Sequence, residues 1–211
     1  MIKGTKRKWL WIAALACLCA VFAVACGSKD KGEPQTAPDD VGLDPDVTYY
    51  ADITIEDHGT ITVRLDQSAA PITVSNFVSL AKDGFYDGLT FHRIIKNFMM
   101  QGGGPSGNGT GGSANKIKGE FTSNGVANDL THTRGAISMA RSQDYNSASS
   151  QFFIVHQDSP HLDGEYAVFG YVTEGIEIVD AICEEAEPTD GNGSIAPQDQ
   201  PVITSIVIRE E

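Results

Sequence analysis

A mainly β fold, a closed antiparallel barrel accompanied by two α-helices, is what three features of the sequence predict. Apolar and polar residues alternate with a period of two in several short segments, helical spacing of apolar residues occurs only twice, and a sheet of many short strands needs closure to remove its edges. The chain has 211 residues, enough for one domain of ordinary size with tails and for a core that needs no disulfide staples.

In chain order, residues 1–25 read as a secretory signal rather than as a fold element. Lys3, Lys6, Arg7 and Lys8 precede an apolar run from Trp9 to Ala25, and the chain turns polar straight after Cys26. Ala23-Val24-Ala25-Cys26 resembles a bacterial lipobox, with Ala23 where Leu is commoner, so Cys26 is expected to carry a lipid. A thioether-linked diacylglyceryl group supplies two acyl chains at about 0.8 kcal/mol per buried methylene, which suffices for stable anchoring. The expected location is therefore extracytoplasmic, with the protein lipid-anchored to the bacterial cell membrane.

Residues 26–46 are rich in Asp, Lys, Gly and Pro and poor in large apolar side chains, and they read as a flexible tether. Past residue 25 the chain holds 28 acidic and 11 basic residues, a formal charge of −17, which repels nucleic acid and anionic lipid. Membrane association must then come from the anchor. Cys17 and Cys19 leave with the signal, so Cys183 stands alone and no disulfide framework exists. It falls in a helical pattern, where a thiol acts as a small buried hydrophobe.

The domain is expected over 47–211. Tyr49, Ala51, Ile53 and Ile55 alternate with polar neighbours, Asp57-His58-Gly59-Thr60 turns the chain, and Ile61, Val63 and Leu65 resume the alternation as the second strand of a hairpin. From Pro71 the spacing of Val74, Phe77, Val78 and Ala81 predicts a helix of about three turns, with Pro71 in its first turn and Gly84 at its end. Two apolar strands joined by a tight turn follow over Phe91–Gln101. The next eleven residues, Gly102–Gly112, hold seven glycines; with no Gly-Lys-Ser/Thr and no helix after them, they serve backbone freedom rather than phosphate binding. Strands are expected at Gly135–Ala140, Gln151–Val155, Ala167–Val172 and Val202–Arg209, and a second helix around Ile176–Ile182. Arg141–Ser150 and Pro188–Pro201 read as loops.

The stretch Phe91–Gly104 brings His92, Arg93 and Gln101 beside Phe91, Phe98 and Met99, a fixed cation next to an apolar surface. Together with Gly109-Thr110-Gly111-Gly112, Ser150-Gln151-Phe152-Phe153-Ile154, Leu162-Asp163-Gly164 and Val168-Phe169-Gly170, it closely resembles the cyclophilins, which are peptidyl-prolyl cis-trans isomerases. The resemblance covers about residues 48–209. It implies an eight-stranded barrel with a helix over each open end, a reaction that needs no cofactor, and proline-containing unfolded or exported polypeptides as partners. By resemblance Arg93 is the catalytic donor, held partly by Gln101. Phe98, Met99, Phe153 and Leu162 match the apolar proline pocket, His92, Gln101 and Gln151 match peptide-contacting positions, and the backbone of Ala140 and Arg141 matches the segment that holds the residue before proline. His161 stands where the best-known members have Trp and Tyr166 where they have His. That Trp is associated with tight cyclosporin binding, so weak binding of the drug is expected.

Other chemistries fit less well. Five histidines without a His-Glu-x-x-His pair give no metal site, and Ser138, Ser149 and Ser150 near histidines lack the Gly-x-Ser-x-Gly elbow of a hydrolase. A non-catalytic module or chaperone that only holds proline segments at the cell surface remains the alternative to an isomerase.

Overall fold

The structure is a computed structural model that describes residues 42–211. The expected signal, the lipidated Cys26 and the tether up to residue 41 lie outside the described residues. Residues 42–46, expected as the end of the tether, are already tied to the domain. Leu43 packs on the main core, the Tyr49 hydroxyl accepts from the Asp44 N–H at 3.0 Å, and Gln67 Nε2 donates to the carbonyls of Asp44 and Val47 at 2.9 and 3.0 Å.

Eight strands form one antiparallel sheet: β1 (Tyr49–Ile55), β2 (Gly59–Leu65), β3 (Phe91–Ile95), β4 (Met99–Gly102), β5 (Ala136–Met139), β6 (Phe152–Val155), β7 (Val168–Glu174) and β8 (Ile203–Glu210). Their spatial order is β3-β4-β6-β5-β7-β2-β1-β8. The expectation of a closed barrel is met only in this coarser form, because no ladder joins the end strands β3 and β8. The sheet curls until the approaches to those strands meet: Thr90 bridges Val202, the Phe91 N–H donates to Pro201 at 3.0 Å, and the Ile203 N–H donates to Leu89 at 2.7 Å. These bonds reach only Phe91 and Ile203, the first residues of β3 and β8; farther along β3 the 193–195 backbone pairs in place of β8, the Ile94 N–H donating to Gly193 and the Ile195 N–H to the His92 carbonyl.

Helix α1 (Pro71–Lys82) starts on Pro71, whose missing N–H would be unpaired there anyway. It ends at Gly84, with φ +68°; the Gly84 N–H reaches Ala81 and the Phe85 N–H reaches Leu80, a left-handed cap that glycine adopts without strain. Its buried face of Val74, Phe77, Val78 and Ala81 is the predicted one. Helix α2 (Ile176–Glu185) buries Val179, Ile182 and Cys183. Burial pushes the Cys183 thiol up to about 12, so it stays protonated and unreactive. Both helices pack into the main apolar core with β1, β2 and one face of the remaining strands.

Candidate active site

Successive side chains on a strand point to opposite faces, so register decides which residues meet. Across β3, β4, β6, β5 and β7 the pairing sets Arg93 opposite Gln101, Gln101 opposite Phe153, Phe153 opposite Ser138, and Ser138 opposite Val168. One residue along, Ile94, Met100, Ile154 and Ile137 make the neighbouring row, and all four lie in the main core. The Arg93 row thus falls on the other face, which carries a smaller apolar cluster of Met99, Ala136, Phe153, Val155 and Val168, with Phe98, Ala140, Leu162 and Tyr166 packed against it.

A cavity of about 210 Å³ opens on that cluster. Phe98, Met99, Phe153 and Leu162 give it apolar lining, Ala140, Arg141 and Tyr166 bound it, and Arg93 and Gln101 supply polar heads. Nine of the expected site residues therefore converge on one slot. Gln151 lines an adjoining cavity of about 240 Å³ that shares Gln101, Ala140 and Arg141 with the slot. His161 sets its ring 5.5 Å from that of Phe98. His92 is 4% exposed and faces a neighbouring cleft beside Arg93 rather than the slot, and among the described residues neither ring nitrogen has a hydrogen-bond partner. Burial, reinforced by the Arg93 charge, lowers its proton affinity and keeps the ring neutral.

Arg93 is held from two sides. Its Nε donates to the Asn192 carbonyl at 2.7 Å, and Nη1 lies 3.4 Å from Gln101 Oε1 and 3.7 Å from Met99 Sδ. Gln101 passes the restraint on: its Nε2 donates to Gln151 Oε1 at 3.0 Å, and Gln151 Nε2 donates to Gly109 and Gly111 at 3.1 and 2.8 Å. Among the described residues nothing accepts from Nη2. Burial lowers the guanidinium pKa, with Tyr166 and Asp190 acting the other way, yet an arginine stays charged at any working pH.

Sequence reasoning missed the Asp190–Ser194 turn that carries Asn192. Asp190 Oδ1 accepts from the N–H groups of Asn192 and Ser194 at 2.9 and 3.0 Å, while the Gly193 carbonyl takes the Ile94 N–H at 2.8 Å and the Ile195 N–H donates to His92 at 3.0 Å. The segment docks along β3 this way. At Gly193, φ +86°, an added Cβ would meet Ile95 Cγ1 at 2.4 Å and the Ile94 carbonyl at 2.8 Å, so glycine is required. Asp-Gly-Asn-Gly is legible as a turn, but nothing in it names Arg93 as its target.

Arg141 also does more than its backbone predicts. Its Nε and Nη2 donate to the Glu165 carbonyl at 3.0 and 2.8 Å, and its guanidinium lies 4.5 Å from the Tyr166 ring centroid, 4.7 Å from that of Tyr145 and 5.1 Å from that of Phe121. The cation–π contacts brace the slot wall at Tyr166.

Among the described residues, those that line the slot give it apolar walls and a cationic rim, with no serine, cysteine or lysine. The comparisons agree with its geometry. Residues 50–208 match the family described as cyclophilin type peptidyl-prolyl cis-trans isomerase/CLD. The chain is 51% identical over 123 residues, 58% of its length and 82% of the relative's, to peptidyl-prolyl cis-trans isomerase B of Bacillus subtilis. It is 48% identical over 137 residues, 64% of its length and 80% of the relative's, to a peptidyl-prolyl cis-trans isomerase of Helicobacter pylori. Among solved structures it resembles a Cryptosporidium parvum cyclophilin type peptidyl-prolyl cis-trans isomerase, with a TM-score of 0.68, 31% identity, and coverage of 78% of this chain and 99% of that one. The same protein, solved in the presence of the dipeptide Ala-Pro, gives a TM-score of 0.67 at 31% identity, covering 77% of this chain and 99% of that one. With the match spanning every strand that bears the Arg93 row, the chain belongs to the cyclophilin-type peptidyl-prolyl cis-trans isomerase family.

Proposed function

We infer that the protein is a peptidyl-prolyl cis-trans isomerase that speeds rotation about X-Pro bonds during folding of exported proteins. Rotation breaks amide resonance across a barrier of about 18–20 kcal/mol and takes about 10–100 s unaided. No covalent bond forms or breaks, so the enzyme needs only a surface that holds the twisted bond better than either planar form. At the twist the prolyl nitrogen regains its lone pair and becomes an acceptor.

The observation that carries the reading is the pairing of an immobilised Arg93 with an apolar slot sized for a small ring. The proline ring enters between Phe98, Met99, Phe153 and Leu162, the backbone of Ala140 and Arg141 holds the preceding residue, and Arg93 donates to the pyramidal nitrogen as it forms. Gln101 and the Asn192 carbonyl keep the guanidinium aimed, so no reorganisation is needed at the moment of rotation. His92 and Gln151 border the path of the peptide.

The signal, the Cys26 motif and the acidic tether support an extracytoplasmic protein anchored through lipid, and His161 beside Phe98 supports weak cyclosporin binding. The test is NMR exchange spectroscopy on a short Ala-Pro peptide with catalytic amounts of the full chain. Cross-peaks between cis and trans proline signals, absent without protein, are expected. Peptide binding with no gain in exchange would instead identify a proline-segment binding module.

A further inference from the structure

His132 belongs neither to the slot lining nor to the Arg93 row. It is 1% exposed, yet it makes directional contacts with three parts of the site. Nδ1 lies 2.9 Å from Asp163 Oδ1, Nε2 lies 3.1 Å from Ser138 Oγ, and the His132 backbone N–H donates to the same Asp163 oxygen at 2.7 Å. Its ring lies beside that of Phe153, with 5.9 Å between centroids and 13° between planes, and meets Tyr166 edge-on at 6.4 Å. A carboxylate only accepts, so in the neutral ring Nδ1 carries the hydrogen and Nε2 accepts from the Ser138 hydroxyl. Tautomer and ring plane are both fixed. Asp163 follows the slot residue Leu162, and Ser138 pairs with Phe153 in the sheet. The order serine-histidine-aspartate is that of a hydrolase triad, but Ser138 is 0% exposed, so its oxygen cannot meet a substrate carbonyl.

We propose that the Asp163–His132–Ser138 chain is a positioning device: neutral His132 fixes the Phe153 ring and ties the Leu162 segment to β5, and a second proton on the imidazole, which puts a charge against the apolar Phe153 ring, unseats that ring. With both nitrogens protonated, Nε2 donates to Ser138 Oγ instead of accepting from it, which turns the hydroxyl, and a charge sits beside Phe153. The ionisable groups facing His132 are Asp163 and His161 on the 159–163 segment and Tyr166; β5 and β6 contribute none. Burial lowers the proton affinity of His132; the Asp163 hydrogen bond and charge oppose it, and His161 adds repulsion. Burial alone would raise the Asp163 carboxyl, but the His132 N–H and ring outweigh it and hold it below the usual carboxylate range.

The inference rests on the isomerase reading wherever activity is the readout, so the experiment pairs two measurements on the full chain. One is kcat/KM for the Ala-Pro peptide from about pH 8 down to about pH 5, spanning the ordinary histidine range. The other is an NMR titration of the His132 ring proton and the Phe153 ring protons. A one-proton acid limb in kcat/KM is expected, with the Phe153 signals moving at the same midpoint. Asp163→Asn removes the charge that favours the imidazolium and is expected to move both midpoints to lower pH. His132→Phe keeps a ring but neither hydrogen bond, and is expected to lose about tenfold in kcat/KM, mostly in kcat, together with the limb. The limb is expected to persist in His161→Gln, whatever its rate. A limb that Asp163→Asn leaves in place, Phe153 signals indifferent to His132, or a folded His132→Phe within about twofold of wild type would overturn the proposal. If the wild type shows no exchange at all, the isomerase reading fails by itself and the titration still decides the device; if His132→Phe does not fold, Asp163→Asn decides it.

Discussion

Phe152 and Phe153 are consecutive, identical in chemistry, and put to opposite uses. Phe152 is 0% exposed and is met edge-on by Phe77, Tyr86 and Phe91 at 5.5, 5.6 and 5.9 Å. Phe153 points the other way, touches only His132 and Tyr166 among the rings of the described residues, and leaves one side to line the slot. The same split runs through Met100 and Met99, and through Ile137 and Ser138. Residue type does not separate fold from function here. Parity along the strand does: one face is saturated with apolar partners, and the other ends in polar heads with donors to spare.

Paired substitutions break or sharpen that contrast, the largest first. Phe152→Ala is expected to lose about 3–5 kcal/mol in urea unfolding, as a truncated core aromatic does, while the molecules that remain folded keep their kcat/KM. Phe153→Ala is expected to cost less, about 2–3 kcal/mol of stability, because Phe153, though only 5% exposed, packs in the smaller apolar cluster and borders the slot, and to lower kcat/KM at least tenfold. Equal effects of the two on stability and on rate would remove the distinction. Gly193→Ala comes next. It displaces Asn192 from Arg93, and a roughly ten- to hundredfold fall in kcat/KM is expected with a smaller loss of about 1–3 kcal/mol of stability from the positive φ and the crowded Cβ, read by exchange NMR and calorimetry.

Acid is a milder probe. His92 and His132 both have folded pKa values below their ordinary 6.5, so between that value and the folded pKa the unfolded chain binds protons that the folded chain does not. Stability is therefore complete above about pH 6.5 and is lost as pH falls. Asp163, Asp180 and Asp190 are held below their ordinary 3.8, and their contribution goes only below that pH. Urea midpoints between about pH 2 and 8 check the sequence of losses; a stability that rises on acidification would contradict it. The smallest effect expected is His161→Trp, which should tighten cyclosporin by about tenfold, a gain of about 1.4 kcal/mol measurable by calorimetry, with turnover little changed.

Local rules were legible in the sequence wherever the physics is local. The alternation at β1 and β2, the proline start and glycine stop of α1, and the tight turn between β3 and β4, where Asn97 takes φ +63°, all follow from neighbouring residues. A fixed cation beside apolar residues made the Arg93 stretch stand out, and the slot itself, with Phe153, came from the resemblance of the blocks around Arg93 and Phe153 to the cyclophilins. What escaped depends on residues far apart in the chain. Whether β3 and β8 close as a ladder turns on how residues 88–91 meet 201–203, and Gln67 pins Asp44 from 23 residues away. The Arg93–Asn192 bond spans 99 positions, and His132 reaches Asp163 across 31. Serines and histidines stood out in the sequence as a weak hydrolase signal; only burial shows that Ser138 serves the frame.

The most direct measurement is the exchange rate of one Ala-Pro peptide with wild type and Arg93→Ala at matched folded concentration, each checked by circular dichroism. Loss of a preorganised donor to the transition state predicts a fall of about 10²–10³ in kcat with the fold intact. An Arg93→Ala protein that still exchanges the peptide at the wild-type rate would contradict the assignment of catalysis to that guanidinium.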